Sequence, residues 1–243
     1  MGILKAMHLH PASIQIMNPD DGIRSICLVS GGMDSCVAAA LALREGPAAF
    51  LHIHYGQRTW EKEWWACRQQ ADHFGITLCK GVSFAFLKEI GGSALTDPAI
   101  PIPEADLHRK EIPASYVPFR NAVFLSMAVA WAEVLGAKQI YIGAVEQDSS
   151  GYPDCRQSFY AVFNRMIIEG TRPASGIQVL TPLITMRKSE IICLGHKLGA
   201  PFQFTWSCYQ ENEKACGRCD SCILRKKAFA QAGFLDPIPY AES

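Results

Sequence analysis

Short apolar runs rich in β-branched residues alternate along this chain with longer stretches whose apolar positions recur at helical spacing. Residues 25–29 form the first run and pass at once into a Gly-rich turn, after which residues 35–44 read as a helix. Residues 48–54 predict a strand, 60–74 a helix and 76–82 a third strand. The series resumes with a long helix over 121–135, a strand over 139–143 and a polar loop over 148–156. A helix over 159–169, a strand over 178–180 and a helix over 188–198 complete it. Strands that alternate with helices predict an α/β fold, a mostly parallel sheet with helices on both faces. No internal repeat is visible.

Two stretches depart from this rhythm. Residues 91–118 hold five prolines and two adjacent glycines, which break any periodicity and predict a long surface excursion of the lid or binding-loop kind. From residue 206 onward the chain reads as a cysteine-rich helical appendage. The expected organisation is an extension over 1–24, an α/β domain over 25–205 and a metal-binding region over 206–243.

The turn after the first strand reads Ser30-Gly31-Gly32-Met33-Asp34-Ser35. Two tandem glycines let the backbone turn sharply and approach a ligand where a Cβ would clash. The turn delivers the chain to a helix N-terminus, whose unpaired N–H groups and dipole favour an anion. Ser30 and Ser35 add hydroxyl donors, so pyrophosphate suits the site. Asp34 is the odd member, because a carboxylate repels phosphate unless Mg²⁺ bridges the two or the side chain caps the helix. A plain strand-to-helix turn is the bland alternative for the two glycines alone.

Composition narrows the class. With 243 residues, 49% of them hydrophobic, the chain can bury a core without crosslinks. Lys plus Arg and Asp plus Glu both number 23, which argues against a broad electrostatic footprint for nucleic acid. The first residues show no signal-peptide pattern and no run has the length of a membrane span, so a cytoplasmic protein without a membrane partner is expected. Trp64 and Trp65, expected on the surface, are compatible with a homodimer.

Ten cysteines fall into two groups. Cys27, Cys36, Cys67, Cys79, Cys155 and Cys193 are scattered and read as small core hydrophobes. Cys208, Cys216, Cys219 and Cys222 are bunched, with two Cys-x-x-Cys steps in succession. Cys219 and Cys222 share a helix face, with Cys216 at the helix entry and Cys208 on the preceding loop. Four thiolates with no open position describe a structural zinc site, and Gly217 permits the turn between ligands. An iron–sulfur cluster and redox chemistry remain the alternatives at this point. Arg225, Lys226 and Lys227 are read as a solvated helix face rather than an RNA contact.

The loop string resembles the PP-loop of ATP pyrophosphatases, and is neither a Walker A loop nor a dinucleotide fingerprint. Further strings, in order, resemble the 7-cyano-7-deazaguanine synthase (QueC) family. They are Tyr116-Val117-Pro118-Phe119-Arg120-Asn121, Asp148-Ser149-Ser150-Gly151-Tyr152-Pro153-Asp154-Cys155-Arg156, Thr181-Pro182-Leu183-Ile184 and Lys188-Ser189-Glu190-Ile191. Thr205-Trp206-Ser207-Cys208-Tyr209 and Cys216-Gly217-Arg218-Cys219-Asp220-Ser221-Cys222 continue the match. Position 119 departs from it, being Phe where the family pattern commonly has Gly, and so do residues 144–147.

The resemblance implies an ATP- and Mg²⁺-dependent ligase, with structural Zn²⁺, that turns 7-carboxy-7-deazaguanine and ammonia into the nitrile through adenylated intermediates. Nucleotide contacts are then expected at Val29, Ser30, Gly31, Gly32, Met33, Asp34, Ser35 and Cys36. Asp34, Lys188 and Arg120 are the expected catalytic residues, Lys188 as a second phosphate contact and Arg120 as a guanidinium for carboxylate or phosphate. Arg120, Asn121, Asp148, Tyr152 and Asp154 are the expected substrate contacts, with Asn121 as a helix N-cap in the alternative. A carboxylate of the 148–156 loop would take the N–H edge of the base and Tyr152 would stack on it. Cys155 is read as inert rather than nucleophilic. The competing functions are a PP-loop enzyme that modifies tRNA directly and a relative that passes the activated acyl group to another amine.

Overall fold

The computed structural model describes residues 22–102, 111–146 and 151–241. Five parallel strands form one sheet in the order β3-β2-β1-β4-β5. They are β1 (Ser25–Leu28), β2 (Ala48–His54), β3 (Cys79–Ser83), β4 (Gln139–Ile142) and β5 (Gln178–Leu180). The helices are α1 (Met33–Glu45), α2 (Trp60–Phe74), α3 (Phe86–Glu89), α4 (Arg120–Leu135), α5 (Gln157–Gly170), α6 (Lys188–Leu198) and α7 (Asp220–Ala232). The predicted α/β architecture is the observed one.

Central β1 is buried at every position, as a strand covered on both faces must be. Its alternation sorts the core. Ile26 and Leu28 join Ile140 and Ile142 of β4 under α4 and α5, where Ala122, Leu125, Ala128 and Ala132 lay α4 close on the sheet. Cys27 joins Phe50 and Tyr141 on the opposite face, under α1 and α2. A third apolar cluster packs Val37 of α1 against Ile191 and Ile192 of α6 and Phe229 of α7. The C-terminal piece is thereby anchored on the domain.

Several boundaries differ from the periodicity. The third strand begins at Cys79, because residue 76 is used to close α2: Ile76 N–H bonds to Ala71 O at 2.8 Å and its side chain is buried. Helix α1 begins at Met33 and α4 at Arg120, each earlier than the apolar pattern suggested. The Pro-rich excursion is not wholly a surface loop. Ser93, Ala94, Leu95, Thr96, Ser115 and Val117 are buried in it, and Arg58 Nη2 ties it down through the carbonyls of Asp97 and Ile100 at 3.0 and 2.7 Å. Trp64 is half-buried against Gly81 and His52 rather than exposed, whereas Trp65 is exposed and carries Lys62 over its ring. No described helix is long and apolar enough to cross a membrane.

Strands β1 and β4 lie side by side although the chain runs outward through β2 and β3 between them. Strand order reverses there, and in open α/β sheets the crevice at the carboxyl ends of such a pair is where ligands bind.

Candidate active site

The Gly-rich turn sits in that crevice. Gly31 takes φ +89°, a conformation that favours glycine, and a Cβ on it would lie 2.5 Å from the carbonyl oxygen of Glu63 in α2. Its own carbonyl is pinned from behind by Trp206 N–H at 2.8 Å and by Gln70 Nε2 at 3.0 Å. Within the turn, the Ser30 and Ser35 hydroxyls lie 3.2 Å apart, and Ser35 Oγ donates to Gly32 O at 3.0 Å. Gly143, just past β4, serves the same close approach: a Cβ there would meet the backbone of Asp34 and Ser35 at 2.5 Å. The result is a helix N-terminus open to a cleft of ≈ 290 Å³.

Of the expected nucleotide contacts, Val29, Ser30, Gly32, Met33, Asp34 and Ser35 border the cleft. Gly31 lies beneath it as the pinned residue, and Cys36 faces the α1–α6 core with its thiol pushed up by burial. Asp34 does not cap α1, whose N-cap is Gly32 without a side-chain cap bond. Its Oδ2 instead meets Lys188 Nζ at 2.7 Å, and its buried Oδ1 has no hydrogen-bond partner among the described residues. Lys188 opens α6, where a cation opposes the helix dipole unless an anion compensates, and the Asp34 carboxylate supplies one. An orphaned carboxylate oxygen beside a phosphate-type loop fits a hard divalent cation such as Mg²⁺.

Arg120 reaches the other side of the cleft. It donates to Tyr55 Oη at 2.8 Å and lies over the Tyr55 and Phe124 rings, with their centroids at 5.3 and 5.9 Å. Tyr152 also borders the cleft, its hydroxyl held by Ser115 Oγ at 2.9 Å. Asn121 borders the cleft, whereas Asp154 does not. Asn121 is in the first turn of α4 and not its N-cap, and its Nδ2 donates to Asp154 O at 3.0 Å. Asp154 is buried and turned inward, its Oδ2 accepting the Asn121 N–H at 2.9 Å, so it serves the start of α4 and does not border the cleft. Asp148 lies outside the described residues. Cys155 borders the cleft, but burial pushes its thiol up to about 11, so it is not a thiolate at neutral pH.

The four bunched cysteines converge as expected. All four Sγ atoms lie within 4.8 Å of one another, with Cys216 and Cys222 at 3.9 Å. Thiolates ~2.3 Å from a common centre in a tetrahedron stand about 3.8 Å apart, so the set fits a tetrahedral metal ion. Backbone N–H groups of Gln210, Glu211 and Cys216 point at Cys208 Sγ from 3.4, 3.4 and 3.3 Å and favour its thiolate.

A family model described as "Queuosine biosynthesis protein QueC" matches residues 24–233. The chain belongs to the QueC family. Its relatives include the 7-cyano-7-deazaguanine synthase of Chlorobaculum parvum, 58% identical over 219 residues that cover 90% of this chain and 96% of the relative. The synthase of Chlorobium phaeobacteroides is 55% identical over 221 residues, covering 90% and 98%. Among solved structures, an NMN synthetase from Francisella tularensis aligns at 17% identity and TM-score 0.46, over 89% of this chain and 79% of that one. A 4-thiouridine synthetase–RNA complex with bound ATP aligns at 21% identity and TM-score 0.48, over 86% and 53%.

In this QueC-family chain the cysteine cluster and the loop are joined by a short tether. Cys208 lies two positions beyond Trp206, whose N–H pins Gly31, and Thr59 Oγ1 lies 3.2 Å from Cys208 O. Arg225, expected on a solvated face, is instead buried in the same join. It forms a two-pronged pair with Asp236 at 2.8 and 2.9 Å and donates to Thr205 Oγ1 at 2.8 Å. Sequence reasoning also missed Tyr55, Gln57 and Thr59 of the β2–α2 connection and Glu63 in the first turn of α2, which line the cleft. The one signal available was a string of polar residues directly after a strand's carboxyl end, where α/β sheets place their ligands.

Proposed function

We propose that this protein catalyses the ATP-dependent conversion of 7-carboxy-7-deazaguanine and ammonia into 7-cyano-7-deazaguanine, acting in the cytoplasm on small molecules. The observation that carries the reading is the Asp34–Lys188 pair, set beside the Ser30–Ser35 loop in the same cleft as Arg120. The relatives named for that synthase are collinear with nearly the whole chain.

A carboxylate is a poor electrophile. Attack of its oxygen on the α-phosphorus of ATP releases pyrophosphate and leaves an acyl adenylate. Ammonia then displaces AMP to give the amide. Activation of the amide oxygen by a second ATP, followed by loss of AMP and a proton, leaves the nitrile. Both half-reactions activate an oxygen on the same ring substituent, so one cleft serves both.

The placement of the side chains supports the following roles. The hydroxyls of Ser30 and Ser35 and the N–H groups of the α1 N-terminus bind the departing pyrophosphate. Asp34 Oδ1 is the acceptor for Mg²⁺, which when bound neutralises phosphate charge. Lys188, steadied by Asp34, faces the charge that develops on the leaving group. Arg120 orients the carboxylate or α-phosphate from the opposite wall. Cys208, Cys216, Cys219 and Cys222 hold Zn²⁺ as a structural tie with no open position for catalysis.

The test is incubation of the purified chain with ATP, Mg²⁺, ammonium and 7-carboxy-7-deazaguanine, followed by mass spectrometry. The expected products are the amide and then the nitrile. Formation of neither would overturn the reading.

A further inference from the structure

We propose that Glu63 is the specificity residue of the cleft, the acceptor that reads the N1–H and 2-amino edge of the deazaguanine. The inference rests on the function proposed above and adds to it the group that distinguishes this base from other bicyclic carboxylates.

A guanine-type edge presents coplanar N–H donors, and a carboxylate accepts two of them in parallel. Among the described residues, Asp34 and Glu63 are the acids that border the cleft. Asp34 is committed to Lys188 at the phosphate loop. Asp154, the sequence-based candidate for the same task, is turned inward to the start of α4. Among the described residues Glu63 forms no ion pair, and its two oxygens are held by the neutral donors Gln57 and Thr59.

Those donors fix its orientation. Gln57 Nε2 bonds to Oε2 at 2.9 Å and Thr59 Oγ1 lies 2.8 Å from Oε1. Gln57 is itself held, because its Oε1 accepts the Tyr55 N–H at 2.9 Å. Each carboxylate oxygen can accept more than one bond, so both keep capacity for a ligand. Loss of solvent raises the Glu63 pKa, and the Gln57 and Thr59 donors and the Arg120 charge act against that rise. Further N–H donors would stabilise the ionised form in the same direction. Trp206 and Tyr209 also border the cleft and are the aromatic candidates to pack on a flat bicycle.

The experiment compares 7-carboxy-7-deazaguanine with its analogue that carries hydrogen in place of the 2-amino group, using the full metal-loaded chain. Binding is read by calorimetry and turnover by mass spectrometry. Wild type is expected to bind and turn over the analogue at least about tenfold less well, the range that one good bidentate base contact supplies. Glu63→Gln is expected to weaken the parent, leave the KM for ATP within about twofold and shrink the analogue penalty below about threefold. Glu63→Asp should retain part of the preference. Equal use of the two compounds by wild type would overturn the proposal without recourse to any variant. So would a Glu63→Gln variant that retains the full preference. A preserved binding preference without turnover would leave Glu63 in this role and reject only the reaction, whereas absence of binding by wild type would reject both.

Discussion

Lys188 Nζ lies 2.7 Å from Asp34 Oδ2, across 154 positions of sequence. The two stand at the N-termini of α6 and α1, so two helix dipoles, one ammonium and the Asp34 carboxylate meet at the same spot. The pair is partly buried, which makes it stronger than a surface ion pair and leaves it open to a ligand.

Asp34→Ala should therefore abolish turnover, with a loss of about 10³-fold or more, because it removes the cation acceptor and releases Lys188 at once. The fold should persist, since Asp34 does not cap α1. Lys188→Ala should cost a similar amount, and the double variant little more than either single one, as expected of residues that act as a unit. Pyrophosphate release with circular dichroism of each variant checks this, and near-normal activity of Asp34→Ala would show that the loop is not the reaction centre.

Gln70 holds the loop from below. Its Nε2 bridges Gly31 O and Phe204 O at 3.0 and 3.1 Å while fully buried. Gln70→Leu keeps the volume and deletes the donor, so it should cost about 1–3 kcal/mol in urea unfolding and raise the KM for ATP more than it lowers kcat. A variant with unchanged ATP affinity would show that Trp206 N–H alone suffices to place the loop.

Metal loss should reach the loop through the Cys208–Trp206 tether. Cys219→Ser is expected to lose bound zinc, to fall in melting temperature and to bind ATP more weakly, because Cys208 sits two positions from the Trp206 N–H that pins Gly31. Elemental analysis, thermal unfolding and nucleotide titration of the same preparation decide it. A metal-free protein with native stability would reject the structural role.

His52 gives the acid limb of the stability curve. Burial lowers its pKa to about 4, and its Nδ1 bonds to Val29 O at 2.8 Å. Between pH 6.5 and 4 the unfolded chain binds the proton that the folded one refuses, so stability falls as pH drops through that window. The full effect is about 3 kcal/mol. His52→Gln, which cannot titrate, should flatten the curve between those pH values relative to wild type, and identical pH slopes would exclude the assignment.

Phe119 is the departure from the family string, and it takes φ 57° at the N-cap of α4. A left-handed conformation costs a non-glycine residue about 1–2 kcal/mol, and glycine costs about 0.5–1 kcal/mol in chain entropy. The side chain is 63% exposed and returns little by burial. Phe119→Gly should therefore stabilise the protein by up to about 1 kcal/mol in urea unfolding, and a clear loss would mean that its contact with Phe159 outweighs the strain.

The sequence by itself determined the α/β class, the loop at the end of the first strand and the four-cysteine cluster. These are local: a strand's periodicity, a tandem glycine and a three-residue ligand spacing hold their meaning without knowledge of what lies across the molecule. What it could not determine is where a polar side chain spends its hydrogen bonds. Asp154 looked free to meet a base and is consumed by the Asn121 N–H, while Arg225 looked solvated and is buried against Asp236. Glu63 and Gln70 carry no motif, yet the crossing of α2 beneath the loop brings one to the cleft and the other to Gly31. Only the tertiary structure decides such assignments, because each depends on a partner set by sheet order and helix packing rather than by neighbours in the chain.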